Sequence, residues 1–102
     1  MIVVRNVFRL KFGHTKEAVV AWKEMIGLAK RLDFGSQDLR LLTDAVGQFY
    51  TVVFENTFPD LGTYEKEVKR VMATAEWAEA YRKITPHVES GHREIFTVVS
   101  LE

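Results

Sequence analysis

The chain contains no cysteine. That absence excludes disulfides, thiol nucleophiles, iron–sulfur clusters and cysteine-ligated zinc. An excess of either charge is also missing, since fourteen basic residues balance fourteen acidic ones. A nucleic-acid binder ordinarily carries a basic surplus or stripe, so nucleic acid is not expected as a partner. The local cluster of Lys66, Lys69 and Arg70 is interleaved with Glu65 and Glu67, which is the pattern of a solvated helix face. No apolar run approaches the roughly 20 residues that a membrane-spanning helix needs. Arg5, Arg9 and Lys11 interrupt the apolar N-terminus, and no small-residue cleavage site follows them. The expectation is a cytoplasmic protein with no membrane partner. Glycine and proline are sparse, and they form no phosphate-cradling loop or nucleophile elbow. The closing Leu101 and Glu102 have the form of a cloning scar, leaving residues 1–100 as a single domain.

What the sequence does have is period. In "IVVRNVFRLKF", residues 2–12, Ile2, Val4, Phe8, Leu10 and Phe12 share one face, with Asn6 at its centre. That alternation predicts a strand. Gly13 ends it, and Thr15 is the expected cap of a helix reaching about Leu32, with Glu17 in the first turn where the helix dipole favours an acid. Ala18, Trp22, Met25, Ala29 and Leu32 fall on one helical face, which Val19 and Ile26 widen. After the break at "DFGS", "QDLRLLTD" (37–44) and "QFYTVVFENTF" (48–58) predict a hairpin across the turn "AVG". Pro59 is expected to pre-set the first turn of a second helix that buries Leu61, Tyr64, Val68, Val71 and Met72. Thr74 can cap a restart, with Glu76 in its first turn, and Trp77, Tyr81 and Ile84 continue until Pro86. "ESGH" (89–92) reads as a loop and "REIFTVV" (93–99) as a final strand.

The order is βαββαβ. It predicts an α+β, ferredoxin-like fold, a four-stranded antiparallel sheet with the helices on one face. Strand three is substantially apolar on both alternations: Phe49, Thr51, Val53 and Glu55 alternate with Tyr50, Val52, Phe54 and Phe58. Helices cover only one of those faces. A second sheet from a second subunit is expected on the other, giving a homodimer. Arg5, Arg9, Glu55 and Glu94 fall on neighbouring strands, where cross-strand ion pairs account for them.

Four features carry a resemblance over about residues 2 to 99: the element order, "RLKFG", "FENTFPDLGTYEK" and "AEWAEAYRKITPHV". With them the chain resembles the dimeric α+β barrel superfamily, above all its NIPSNAP-like proteins and next its antibiotic-biosynthesis-type monooxygenases. The resemblance implies two sheets packed into a barrel and a pocket in each subunit between the sheet and its own helices. In the monooxygenase branch such a pocket oxidises aromatic, polyketide-like molecules without metal or flavin. A haem-degrading branch pairs a Trp with a His ligand, a spacing that Trp77 and His87 repeat. Pro86 ends the helix between them, so His87 leaves the Trp77 face. No cofactor is expected. NIPSNAP-like first strands tend to carry Arg and Tyr where this chain has Asn6 and Phe8, and the Asn leans toward the monooxygenase branch.

Each candidate residue has a plain reading beside the sharp one. Asn6 either lines a pocket and donates to a substrate oxygen or is a buried carboxamide satisfied by a loop or helix end. Trp22 and Trp77 are first of all core aromatics. Trp77 opens a helical segment, and Tyr81 follows it by four on the same face, so these two with Phe8 are the candidate pocket residues. His14, His87 and His92 lack metal-ligand spacing, and no metal site is expected. His87 is the candidate proton shuttle at the pocket mouth. Two functions follow. One is a homodimer with a small apolar pocket that binds an aromatic or enolic molecule, with cofactor-independent oxygenation as its enzymatic form. The other is a non-catalytic binding or stress-associated module. An open cavity beside Asn6 discriminates between them.

Overall fold

A computed structural model describes residues 1–36 and 38–102. Strand β1 (Ile2–Leu10) leads into helix α1 (Thr15–Arg31), followed by the hairpin of β2 (Arg40–Thr43) and β3 (Thr51–Phe58). Helices α2 (Leu61–Met72) and α3 (Ala75–Ile84), a 3₁₀ turn over Thr85–His87 and strand β4 (Val88–Thr97) complete the chain. The sheet is antiparallel in the order β2-β3-β1-β4. This is the expected α+β arrangement, with the second helix broken in two.

Local chemistry explains the breaks. The Thr74 side chain accepts a hydrogen bond from the Trp77 N–H at 3.2 Å and so caps α3 as predicted. The N-cap of α2 is Asp60, whose side chain accepts from Thr63 N–H at 2.7 Å. Pro59 lies just outside that helix rather than in its first turn. Thr15 is already helical, and His14 occupies the N-cap of α1 without a side-chain cap bond. At the other end of α1, the Asp33 N–H donates to the Lys30 carbonyl and the Phe34 N–H to the Ala29 carbonyl. That pair of bonds is a Schellman closure, with Asp33 at φ 53° in the position glycine usually takes. It turns Phe34 back under the helix.

Two strand predictions need correction. The hairpin strands are shorter than the apolar run implied, since β3 starts at Thr51 and Phe49 is exposed. Gln37, assigned to strand two by sequence, lies outside the described residues. "ESGH" is not a loop but the first half of β4. Gly91 pairs with Phe8 on β1, and a Cβ there would meet Phe8 Cδ1 at 2.8 Å. The glycine makes room for a ring, not a turn.

The core lies between the sheet and α1. Val4, Leu10, Val52, Phe54 and Phe58 meet Ala18, Trp22, Met25 and Ala29, each large side chain contributing about 1.5–3 kcal/mol on burial. Leu61 and Met72, expected in the core, are mostly exposed, and Tyr64 and Val71 carry the buried face of α2. The molecule measures 42 × 34 × 19 Å, the thickness of one sheet and one helix layer. Among the described residues, no second layer therefore covers the opposite sheet face. There Arg5 Nε lies 3.3 Å from Glu55 Oε2, and Arg40 also pairs with Glu55. Glu94 meets His92 at 3.5 Å instead of an arginine.

Candidate functional site

Between the sheet and the α2–α3 pair lies a cavity of about 420 Å³. It exists because the restart at Thr74 divides one long helix into two short ones, which leave the middle of β1 and β3 incompletely covered. Aromatic rings form its walls. Phe34 packs edge-on to Phe58 at 5.2 Å and to Trp77 at 5.5 Å between ring centroids, and Phe58 packs on Tyr64 at 5.0 Å. Deeper in, Phe8 packs at a tilt against Trp22, 5.0 Å between ring centroids. Edge-to-face pairs of this kind add about 0.5–1.5 kcal/mol each and hold a wall in one shape.

Four of the five sequence candidates converge here. Asn6, Phe8, Trp77 and Tyr81 all line the cavity, with Tyr81 half exposed at its edge. His87 does not line it. Its Nδ1 lies 3.0 Å from Nδ1 of His14, so one imidazole donates and the other accepts, and the pair ties the 3₁₀ turn to the start of α1.

Two polar residues of the wall escaped the sequence reading. Asn56 is 4% exposed and makes four hydrogen bonds. Its Oδ1 accepts from Ser36 N–H and Oγ–H, both at 3.1 Å, and from Thr57 N–H at 2.8 Å, while its Nδ2 donates to the Phe34 carbonyl at 2.8 Å. It clasps the loop after α1 and so fixes Phe34 against the cavity. Arg93 faces Asn6 across the β1–β4 ladder, and its Nε donates to Asn6 Oδ1 at 2.7 Å. The guanidinium carbon is 5.9 Å from the centre of the Tyr64 ring, within cation–π range. Burial pushes the Tyr64 hydroxyl above its ordinary pKa, with the Arg93 charge pulling the other way, so at neutral pH it is an O–H donor. Among the described residues, no group of three or more His, Asp or Glu side chains is placed to hold a metal ion.

The NIPSNAP family model matches residues 4–101. The chain belongs to the NIPSNAP family. No curated protein matches it. Solved relatives share its fold at low identity. A NIPSNAP-like domain protein from Burkholderia xenovorans, described as uncharacterized, is 20% identical with a TM-score of 0.87, covering 99% of this chain and 87% of that one. A NIPSNAP family protein from Agrobacterium tumefaciens is 15% identical with a TM-score of 0.86, over 98% and 94% of the two chains. An antibiotic biosynthesis monooxygenase is 16% identical with a TM-score of 0.74, over 98% of this chain and all of the other. The NIPSNAP assignment accounts for the sheet order and helix placement. The chemistry of the cavity rests on this chain's own side chains. No helix in the described residues is long and apolar enough to cross a membrane.

Proposed function

We propose that this NIPSNAP protein binds a small aromatic or enolic molecule in the cavity beside Asn6, and that it does so as a homodimer. The observation carrying this reading is the cavity itself, with its aromatic walls and a half-buried carboxamide in its lining. An interior evolved only for stability is close-packed, and about 420 Å³ of ring-lined space has the size and character of a ligand site. The dimer reading is supported by the uncovered sheet face. Val7 is only half buried there, Phe96 is exposed on the same face, and Arg9 Nε is buried with no acceptor among the described residues. A second copy of this face across a two-fold axis would cover these side chains and supply an acceptor.

The test is native mass spectrometry of gently purified protein, followed by binding of an apolar naphthalene dye. A dimer of the 11.8 kDa chain that carries an adduct or takes up dye supports the reading. Val68, half buried and on the cavity wall, gives the control: Val68→Trp should fill the space and abolish dye uptake while the protein stays folded. A monomer with no adduct and no dye binding would refute both parts.

The enzymatic form of the reading is favoured by Asn6. Arginine has only donors, so the carbonyl oxygen of Asn6 must face Arg93 and its N–H₂ is left for the cavity. A donor held in a site with limited water can stabilise an oxyanion as it forms. Under this alternative, an enolisable polycyclic ketone would consume oxygen without added cofactor, as in an antibiotic-biosynthesis-type monooxygenase. Asn6→Ala would slow that turnover by about 10²–10³-fold, and turnover untouched by the substitution would refute the role. Neither form assigns a step to His87, which lies with His14 outside the cavity lining.

A further inference from the structure

The cavity holds an apolar body well, and its one charge says what else the ligand carries. Arg93 is the cationic residue of the lining, and no Asp or Glu lines the cavity with it. Four other arginines have carboxylate partners, Arg5 and Arg40 sharing Glu55, Arg70 pairing with Glu67 and Arg82 with Glu79, while Arg9 and Arg31, like Arg93, have none among the described residues but lie outside the cavity lining. Among the described residues no carboxylate pairs with Arg93. Among the described residues its one side-chain hydrogen bond is through Nε to Asn6. A guanidinium carries five N–H groups, so the two terminal nitrogens remain as an unused fork. Asn6 N–H₂ and the Tyr64 hydroxyl, raised above its usual pKa by burial, stand on the same wall as further donors.

Resting on the ligand-binding reading above, we propose that the ligand is an aromatic carboxylate. Its rings lie among Phe34, Phe58 and Trp77, its carboxylate sits on the terminal nitrogens of Arg93, and Asn6 is a positioning residue for that arginine. The geometry favours a planar, two-oxygen anion. The terminal fork of arginine matches a carboxylate with two parallel N–H···O bonds. Asn6 holds Nε and so restrains the last torsions of an otherwise flexible side chain. The contact with Tyr64 restrains the guanidinium plane from its other side. A neutral acceptor such as an amide would meet the same donors without the charge.

The experiment compares naphthoate with naphthamide, a matched pair differing in charge, by calorimetric titration of the intact protein. Naphthoate should bind about 10–100-fold tighter, the range of a charge-assisted over a neutral contact. Arg93→Gln should erase that preference and leave naphthamide affinity within about twofold, the amide doubling as a folding control. Asn6→Ala should reduce the preference about threefold by freeing the arginine. Asn6→Asp separates positioning from mere structure: it restores an acceptor for Nε but neutralises the charge, so it should abolish the naphthoate preference more completely than Asn6→Ala does. If neither probe binds the wild-type protein, the ligand-binding reading fails and takes this inference with it. If both bind equally, or the preference survives Arg93→Gln, the carboxylate assignment alone is overturned and the cavity reading stands.

Discussion

Replacing Asn56 with alanine should cost the fold about 3 kcal/mol, more than any other single polar substitution in the sheet. The figure follows from its four hydrogen bonds. The Phe34 carbonyl is in a buried residue and loses its Nδ2 donor, at about 1–3 kcal/mol for an unsatisfied buried acceptor. Ser36 N–H keeps a second acceptor, the Thr57 carbonyl at 3.1 Å, so its loss is small. Ser36 Oγ and Thr57 N–H are only partly buried, and each contributes about 0.5 kcal/mol because water can replace the carboxamide. For a domain of this size the sum lowers the melting temperature by roughly 12–20 °C. The assay is urea and thermal unfolding at one fixed protomer concentration, because an oligomer's stability depends on it. The slope against urea should be unchanged, which marks a stability effect rather than a change in what unfolds. Asn6→Ala is the comparison, since it loses one bond to an exposed arginine and should cost under about 1 kcal/mol. An Asn56→Ala loss no larger than that would refute the reasoning. It would mean that solvent satisfies the loop as well as the carboxamide does.

Asp33 at φ 53° closes α1 as a left-handed residue with a carboxylate near the negative end of the helix dipole. Asp33→Gly should therefore stabilise the protein by about 0.5–1 kcal/mol, read as a rise in urea midpoint. Gly91→Ala should destabilise by about 1–3 kcal/mol through its clash with Phe8, and should weaken naphthalene-dye binding if Phe8 is driven into the cavity. Two carboxyls lie below their ordinary pKa, Asp60 through the Thr63 N–H bond and Glu67 through the Arg70 hydrogen bond. Each contributes stability above the ordinary carboxylate range near pH 4 and loses it as pH falls through its lowered value. The melting temperature should drop in that acid window. Asp60→Asn, which keeps a capping oxygen but cannot titrate, should flatten part of the drop.

The fold was legible because its signals are local or periodic. One buried sheet face imposes period two on β1, and one buried stripe imposes helical spacing on α1, so both appear in the order of residues. The restart of α3 was legible for the same reason, since Thr74 needs only Trp77, three residues on, to make its cap. The misses that bear on the site depend on partners far away in the chain. Gly91 looks like a turn residue until Phe8 is placed opposite it. The His14–His87 bond joins residues 73 apart, and the Asn56 clasp reaches back 20 residues to Ser36. Arg93 lies on an edge strand with a single neighbour, and its side depends on register rather than on the mixed pattern of "REIFTVV". The available signal was parity. Once β4 is paired with β1, the residue facing Asn6 is fixed, and it is an arginine.

Two carboxamides on one buried sheet face serve opposite purposes, and their saturation tells them apart. Asn56 uses its oxygen three times and its nitrogen once, all within the chain. One N–H is left over, but the carboxamide is otherwise engaged and buried, and the cost of disturbing it falls on stability. Asn6 spends its oxygen on Arg93 and keeps its N–H₂. A stability-driven sheet would have placed a valine there, as at Val4 on the same face, avoiding the cost of desolvating an incompletely bonded amide. The chain instead keeps a partly satisfied amide beside an arginine without a carboxylate, at the edge of an aromatic cavity. Stability alone does not explain two such choices at paired positions. A ligand that brings two negatively polarised oxygens would satisfy the amide and the arginine together, and removing the Arg93 charge is the perturbation that most directly asks whether it does.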